Sequence, residues 1–514
     1  MFEPKKIDTD GREGLAALDR LAIGYLMLPL FIFLIGWFEW WAAAIFVACS
    51  AYALRPLFTN WDLPTRARLT TQQIAIAVGI GCVWTVFGGA DHLFYANGDW
   101  HARDAVFHDL VVSHWPVGYG VHDWQETLLR APVGFYLPAA LVGKITTLPL
   151  AHHALLAWTA VGSVLFLLQV ISLVDPKMSA ALLAAVVVVF FSGADIVGNL
   201  LNDGPRFRKY WDITTHLEWW AGSYQYSSMT TQLFWVPNHA FGGWLIIGLL
   251  YRCTLASDLE LMLPILLVAA ALWSPLTALG LIPFVLWRAV QDIFLRRSLR
   301  LLHVKIWAPA LLVGLAVSAY LTLATGSVPK GSSLSGWSSG DEVMSILRQL
   351  QFFLLEAGFL GLSILLIRRS TEMIIALAFL AVLPAVYLGP GNDLVMRASI
   401  PALAVISISA FLALLDRSQS FKKRAFLAGL LIIGAATPIA EFARAFLYPV
   451  WPINFRATLI GADCGGFAPH YVAKVNDQLI TRVLRRPNRI ALGPLGPESC
   501  DNPAYRIAQR ENPF

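Results

Sequence analysis

Long apolar runs constrain this chain more than any other feature. Leu21 to Phe38, Ile74 to Val86, Leu155 to Val174, Ile306 to Leu323 and Ile374 to Leu388 are nearly free of charge. No soluble core could absorb so many of them, and the solvent they require is lipid. Composition agrees: 57% of the 514 residues are hydrophobic against 14% charged, with 19 Trp and 30 Phe, far from the balance of a soluble domain. A net charge of +5 spread over many loops argues against nucleic acid as a partner. Residues 1 to 20 are polar and lack a small-residue cleavage site behind the first run, so that run is expected to be a retained anchor.

The expected fold is an all-α polytopic membrane protein with about thirteen transmembrane helices. They are predicted near 21–37, 40–56, 72–89, 153–174, 178–194 and 239–256, then 260–274, 276–290, 306–324, 350–367, 371–388, 399–415 and 424–442. Pro275 breaks the apolar stretch 273–283. With residues 1–20 on the cytoplasmic side, the short inner loops carry Arg55, Arg66 and Arg68, then Arg288 to Lys305, then Arg368 and Arg369, then Arg417 to Arg424. That is the positive-inside pattern of a multi-pass cytoplasmic-membrane protein. The outer face then receives loops 90–152, 195–238, 325–349 and 389–398, and a tail over 443–514. Cys464 and Cys500 in that tail are candidates for a disulfide in an oxidising compartment.

Chemistry is expected in those outer segments. The first loop interleaves Asp91, Asp99, Asp104 and Asp109 with His92, His101, His108 and His114. Asn97, Gly98 and Asp99 read as a turn with Asp99 at the N-cap of a helix beginning near Trp100. On such a helix His101, Asp104 and His108 share a face, a weak candidate for a divalent metal; a solvated polar face accounts for the same residues. The stretch 128–150 reads as an interfacial helix interrupted by Lys144. The second loop offers Arg206 for phosphate and His216 and Glu218 as titratable groups, and Asn238 and His239 stand where the chain re-enters the membrane. In 389–398, Asp393 and Arg397 are four apart, suited to a local ion pair or to a lipid phosphate.

The order of these parts resembles the GT-C superfamily of membrane glycosyltransferases, which use polyprenyl-phosphate sugars and include protein mannosyltransferases and the lipid A aminoarabinose transferase. In that family an outer loop opens with an acidic motif, and an amphipathic stretch of Pro-x-x-x-Tyr character follows. Asp99-Trp100 stands at the first and APVGFYLPAALVGK, 131–144, at the second. The second motif position is Trp where the family has an acid, and Asp104 and Asp91 remain alternatives to Asp99. The resemblance implies transfer of a sugar from a polyprenyl-phosphate donor to a lipid or glycan acceptor in the cell envelope, with inversion and with one Asp as general base. Arg397, Arg206 and Arg103 would meet the donor phosphate, and His216, Glu218, Asn238, His239 and Asp393 would line the substrate site. No cofactor is required, although a divalent metal is compatible. Two other readings stay open: a flippase or transporter of a lipid-linked sugar, and an envelope polysaccharide polymerase or ligase.

Overall fold

The computed structural model describes residues 15–58, 69–122, 125–295, 297, 300–323, 325, 328–332, 342–389, 391–459, 471–475 and 482–489. Cys464 and Cys500 lie outside them. The described chain is mostly helical. Every segment predicted to be an apolar helix contains one, and seven helices are long and apolar enough to cross a membrane.

In chain order the helices are α1 (Ala17–Trp37), α2 (Trp40–Ala53), α3 (Thr71–Val86), α4 (Asp99–Val112), α5 (Leu137–Ile145), α6 (Leu148–Ile171), α7 (Met178–Val189), α8 (Asp195–Tyr210), α9 (Met229–Trp235) and α10 (Pro237–Arg252). They continue as α11 (Leu263–Trp273), α12 (Pro275–Leu295), α13 (Val304–Leu321), α14 (Ile346–Ile367), α15 (Thr371–Ala385), α16 (Asp393–Leu415) and α17 (Phe421–Leu447). Pro275 separates α11 from α12, as its missing N–H and fixed φ require. At the centre lie α10 and α16, whose side chains are almost all buried. Their near-continuous apolar sequence leaves no face for solvent.

The first long loop contains more than the expected helices. Strands β1 (Val117–His122) and β2 (Gln125–Leu129) form a hairpin, and two tail strands join it: β5 (Val472–Lys474) pairs antiparallel with β2, and β6 (Asn488–Arg489) pairs parallel with β1. A separate ladder pairs β3 (Lys330–Ser332) with β4 (Val386–Leu388). The tail is therefore stitched to the first loop by backbone hydrogen bonds. Further stitches run from Glu39 N to the Val483 carbonyl, 2.9 Å, and from Arg485 N to the Trp37 carbonyl, 2.9 Å. Helix α4 starts one residue earlier than expected, with Gly98 at the N-cap. The Asp99 side chain turns away from the helix end, and Asn97 Oδ1 accepts from the Asp99 N–H at 3.1 Å in its place.

Candidate functional site

Residues from four chain segments converge at the start of α4. Asp99 Oδ2 meets Arg103 Nη2 at 2.7 Å, one helical turn on. Arg103 Nη1 donates to Asn238 Oδ1 at 2.8 Å, and Asn238 Nδ2 lies 3.1 Å from His239 Nε2 at the start of α10. His239 lies close enough to both Arg103 and Arg397 to feel their charges. Arg397 pairs with Asp393 at 2.9 Å. Thr277 Oγ1, on α12, sits within reach of the backbone carbonyls of His239 (3.0 Å) and Arg397 (3.2 Å), which locks the starts of α10 and α16 side by side.

Local sequence explains each placement. Asn97 donates to the Phe234 carbonyl at 2.7 Å and Trp100 Nε1 to the same oxygen at 3.0 Å, fastening α4 to the end of α9. Gly89, with φ +81°, lies directly against the Trp100 indole, where a Cβ would collide. Gly389, with φ +93°, similarly leaves room for the Asp393 carboxylate. Both turns require glycine for conformation and for space.

Burial separates the three candidate carboxylates. The Asp99 side chain is 27% exposed, whereas Asp104 is 5% exposed and paired with His92 at 2.9 Å, and Asp91 is 6% exposed and paired with His153 at 2.6 Å. Asp99 is thus the most accessible of them. Arg397 and Asp393 are also partly exposed, while Arg103, Asn238 and His239 form the buried wall behind. Among the described residues Arg103 Nε, His239 Nδ1 and Arg397 Nε have no hydrogen-bond partner, so the wall presents donor capacity beyond its internal bonds. Burial opposes the Arg103 charge, but Asp99, Tyr136 and Tyr471 offset it and hold the guanidinium pKa above its usual value. The Tyr136 phenol is pushed up to about 12 by burial, against the pull of Arg103, and stays neutral.

Tyr136 and Tyr471 escaped the sequence reading as individual residues. Tyr136 is the final position of the Pro-x-x-x-Tyr stretch beginning at Pro132, so a signal was present. Tyr471 interacts with Arg397, Arg103, Asp99 and Asp393 from the tail, just before β5, and its sequence surroundings give no hint of this.

Other predicted site residues lie elsewhere. Arg206 lines a separate cleft of about 210 Å³ with Phe207, Tyr210, Trp211 and Trp220. His216 and Glu218 belong to an internal acidic cluster. His216 Nδ1 lies 2.7 Å from Glu441 Oε1, and Glu218 accepts from Ser228 N at 2.8 Å and Gln225 Nε2 at 2.6 Å. Of the weak metal set, His108 turns to Asp109 at 3.1 Å. His101 packs against Trp451 with the rings tilted and their centres 4.2 Å apart, and burial lowers its pKa to about 4 despite Asp104. Among the described residues no group of three or more His, Cys, Asp or Glu is arranged to hold a metal ion.

Comparison with known proteins finds no matching family model, no matching curated protein and no matching solved structure.

Proposed function

We propose that this chain is a membrane glycosyltransferase of GT-C type. It moves a sugar from a polyprenyl-phosphate donor to an envelope acceptor on the outer face of the cytoplasmic membrane, and it crosses that membrane about thirteen times. The observation that carries the reading is the convergence at the start of α4: one accessible carboxylate, Asp99, beside Arg103 on the same helix and near Arg397 at the start of the apolar helix α16. Polar groups there need a purpose, because placing them among apolar helices is costly.

The charges fit the reaction. Asp99 and Asp393 balance Arg103 and Arg397, so the resting site is neutral. In an inverting displacement the acceptor hydroxyl attacks the anomeric carbon, the bond to the donor phosphate breaks, and the hydroxyl proton passes to Asp99. At that moment the leaving phosphate gains a negative charge, while Asp99 loses its own and releases Arg103 from pairing. The site becomes cationic as the leaving group becomes more anionic, which stabilises the transition state more than the ground state. His239 and Asn238 hold Arg103 in place throughout.

The test is sugar release from a panel of polyprenyl-phosphate sugars, with membrane extracts as acceptor source, by wild type and Asp99→Asn in lipid. Loss of a general base predicts a drop of about a hundredfold or more. Movement of labelled lipid across the bilayer without sugar release would replace the reading with a flippase.

A further inference from the structure

A second cavity lies at the opposite end of α4, where α1, α5 and the tail meet. It has a volume of about 510 Å³ and is lined by Ile32 and Ile35 of α1, Trp115, Lys144 of α5, and Arg485 and Arg486 of the tail. That size is in the range of small-molecule sites. None of its described lining residues is acidic.

Its lysine is held in place. Lys144 Nζ donates to the carbonyls of Val111, at 3.3 Å, and Ser113, and sits 4.8 Å from the centre of the Trp115 ring. The Trp115 indole donates to the Leu110 carbonyl at 2.8 Å and packs on Trp37 with ring centres 5.2 Å apart. A Cβ at Gly36 would meet that indole at 2.7 Å, so α1 and Trp115 are in close contact. The bonds at Glu39 and Arg485 fix the tail backbone on the end of α1.

Below the cations the wall turns apolar. Leu21, Gly24, Leu28 and Ile35 are exposed and Ile32 half-exposed, at helical spacing on one face of α1. This stripe runs the length of a helix long and apolar enough to cross a membrane and ends at the cavity. Three cations at the end of an apolar stripe are complementary to one kind of molecule: an anionic phosphate headgroup with acyl chains beneath it.

We propose that this cavity binds a glycerophospholipid with an anionic headgroup, whose phosphate bridges Lys144 to Arg485 and Arg486 and whose chains lie along α1. The bound lipid ties the tail to α5 and α1. The site depends on α1 lying in lipid and is independent of the transferase reading.

Purified full-length protein in detergent is titrated with short-chain phosphatidylglycerol, short-chain phosphatidylcholine or inorganic phosphate, with bound lipid counted by native mass spectrometry. Phosphatidylglycerol should bind at least about tenfold more tightly than phosphatidylcholine, and each cation replaced by Gln should cost roughly fivefold. Lys144→Gln tests the site without touching the tail, and Ile35→Gln should weaken lipid but not phosphate. Equal binding of both lipids, or unchanged phosphatidylglycerol affinity in a folded Lys144→Gln protein, overturns the proposal. Inorganic phosphate binding as tightly as phosphatidylglycerol also overturns it, because that result describes an anion site rather than a lipid site.

Discussion

Two buried polar clusters in this protein solve the same electrostatic problem in opposite ways. At the start of α4, each carboxylate is matched by an arginine: Asp99 by Arg103, Asp393 by Arg397. Around α8, four carboxyl groups (Asp195, Glu218, Glu356 and Glu441) are gathered with one arginine, Arg444, and one histidine, His216. There the acids outnumber the cations, and burial raises the Asp195 and Glu218 pKa values and so favours their protonated forms. Asp195 accepts from Ser192 at 2.9 Å and from Thr437 at 2.7 Å, and Glu356 accepts from the Trp220 indole at 2.8 Å, so neutral donors rather than cations meet these two carboxyl groups. Burial and the neighbouring Asp195 and Glu441 push Glu218 up to about 8. The first cluster is partly open and pairs its charges one to one; the second is closed and holds an excess of acids.

The largest effect that tests this contrast is on stability against pH. Glu218 binds its proton more tightly when folded, with a pKa of about 8 against an ordinary 4.5. Its contribution is therefore fully present below about pH 4.5, is lost as pH rises towards 8, and changes no further above that, for a total of up to about 5 kcal/mol. Melting curves from pH 5 to 9 should show the decline, and Glu218→Gln should flatten it: its amide oxygen still accepts from Ser228, and the Gln225 amide can turn over to accept. A flat wild-type profile would mean that the acidic cluster is compensated by something other than protons.

Next in size is Arg444→Met. Arg444 lies 3.3 Å from Glu441 and donates to the Thr214 carbonyl at 3.0 Å, with both side chains 3% exposed. Leaving Glu441 without its arginine should cost about 3–5 kcal/mol, read as a fall in melting temperature. At the other cluster the ranking reverses. Asp99→Asn should reduce sugar transfer about a hundredfold and change stability by less than about 1 kcal/mol, because the residue is partly exposed. If Asp99→Asn unfolds the protein while Arg444→Met stays folded and loses transfer, the two roles are interchanged.

The helices were legible because apolar runs of this length have only one use, and Pro275 marked a boundary by covalent geometry alone. Asn238 and His239 were legible as polar groups at the mouth of a helix, which need partners, and Arg397 as a cation at the membrane boundary; Arg103 entered only through the family resemblance. His216 and Glu218 were legible as titratable groups of the second loop, but not as members of a buried acidic cluster. Glu441, the partner of His216, lies 225 residues on, and Glu356 sits in a π-turn at Leu354–Gly358, which no local pattern announces. The four-stranded sheet was equally hidden. Its outer strands are two and three residues long and pair with β1 and β2 across more than three hundred positions, too short and too remote for periodicity to register.

The smallest effect is the one that distinguishes binding from chemistry within the first cluster. Arg397→Lys keeps the positive charge beside Asp393 but replaces a planar fork, able to grip two phosphate oxygens while facing a carboxylate, with a point charge. If Arg397 meets the donor phosphate equally in ground and transition states, KM for the lipid-linked sugar should rise about tenfold with kcat unchanged. If instead it meets only the charge that develops on the leaving group, kcat should fall by a similar factor at constant KM. Arg206→Lys, in its own cleft on α8, should do neither. An equal response at Arg206 would show that the cleft beside the acidic cluster belongs to the donor path, and that the protein's two polar clusters serve one substrate.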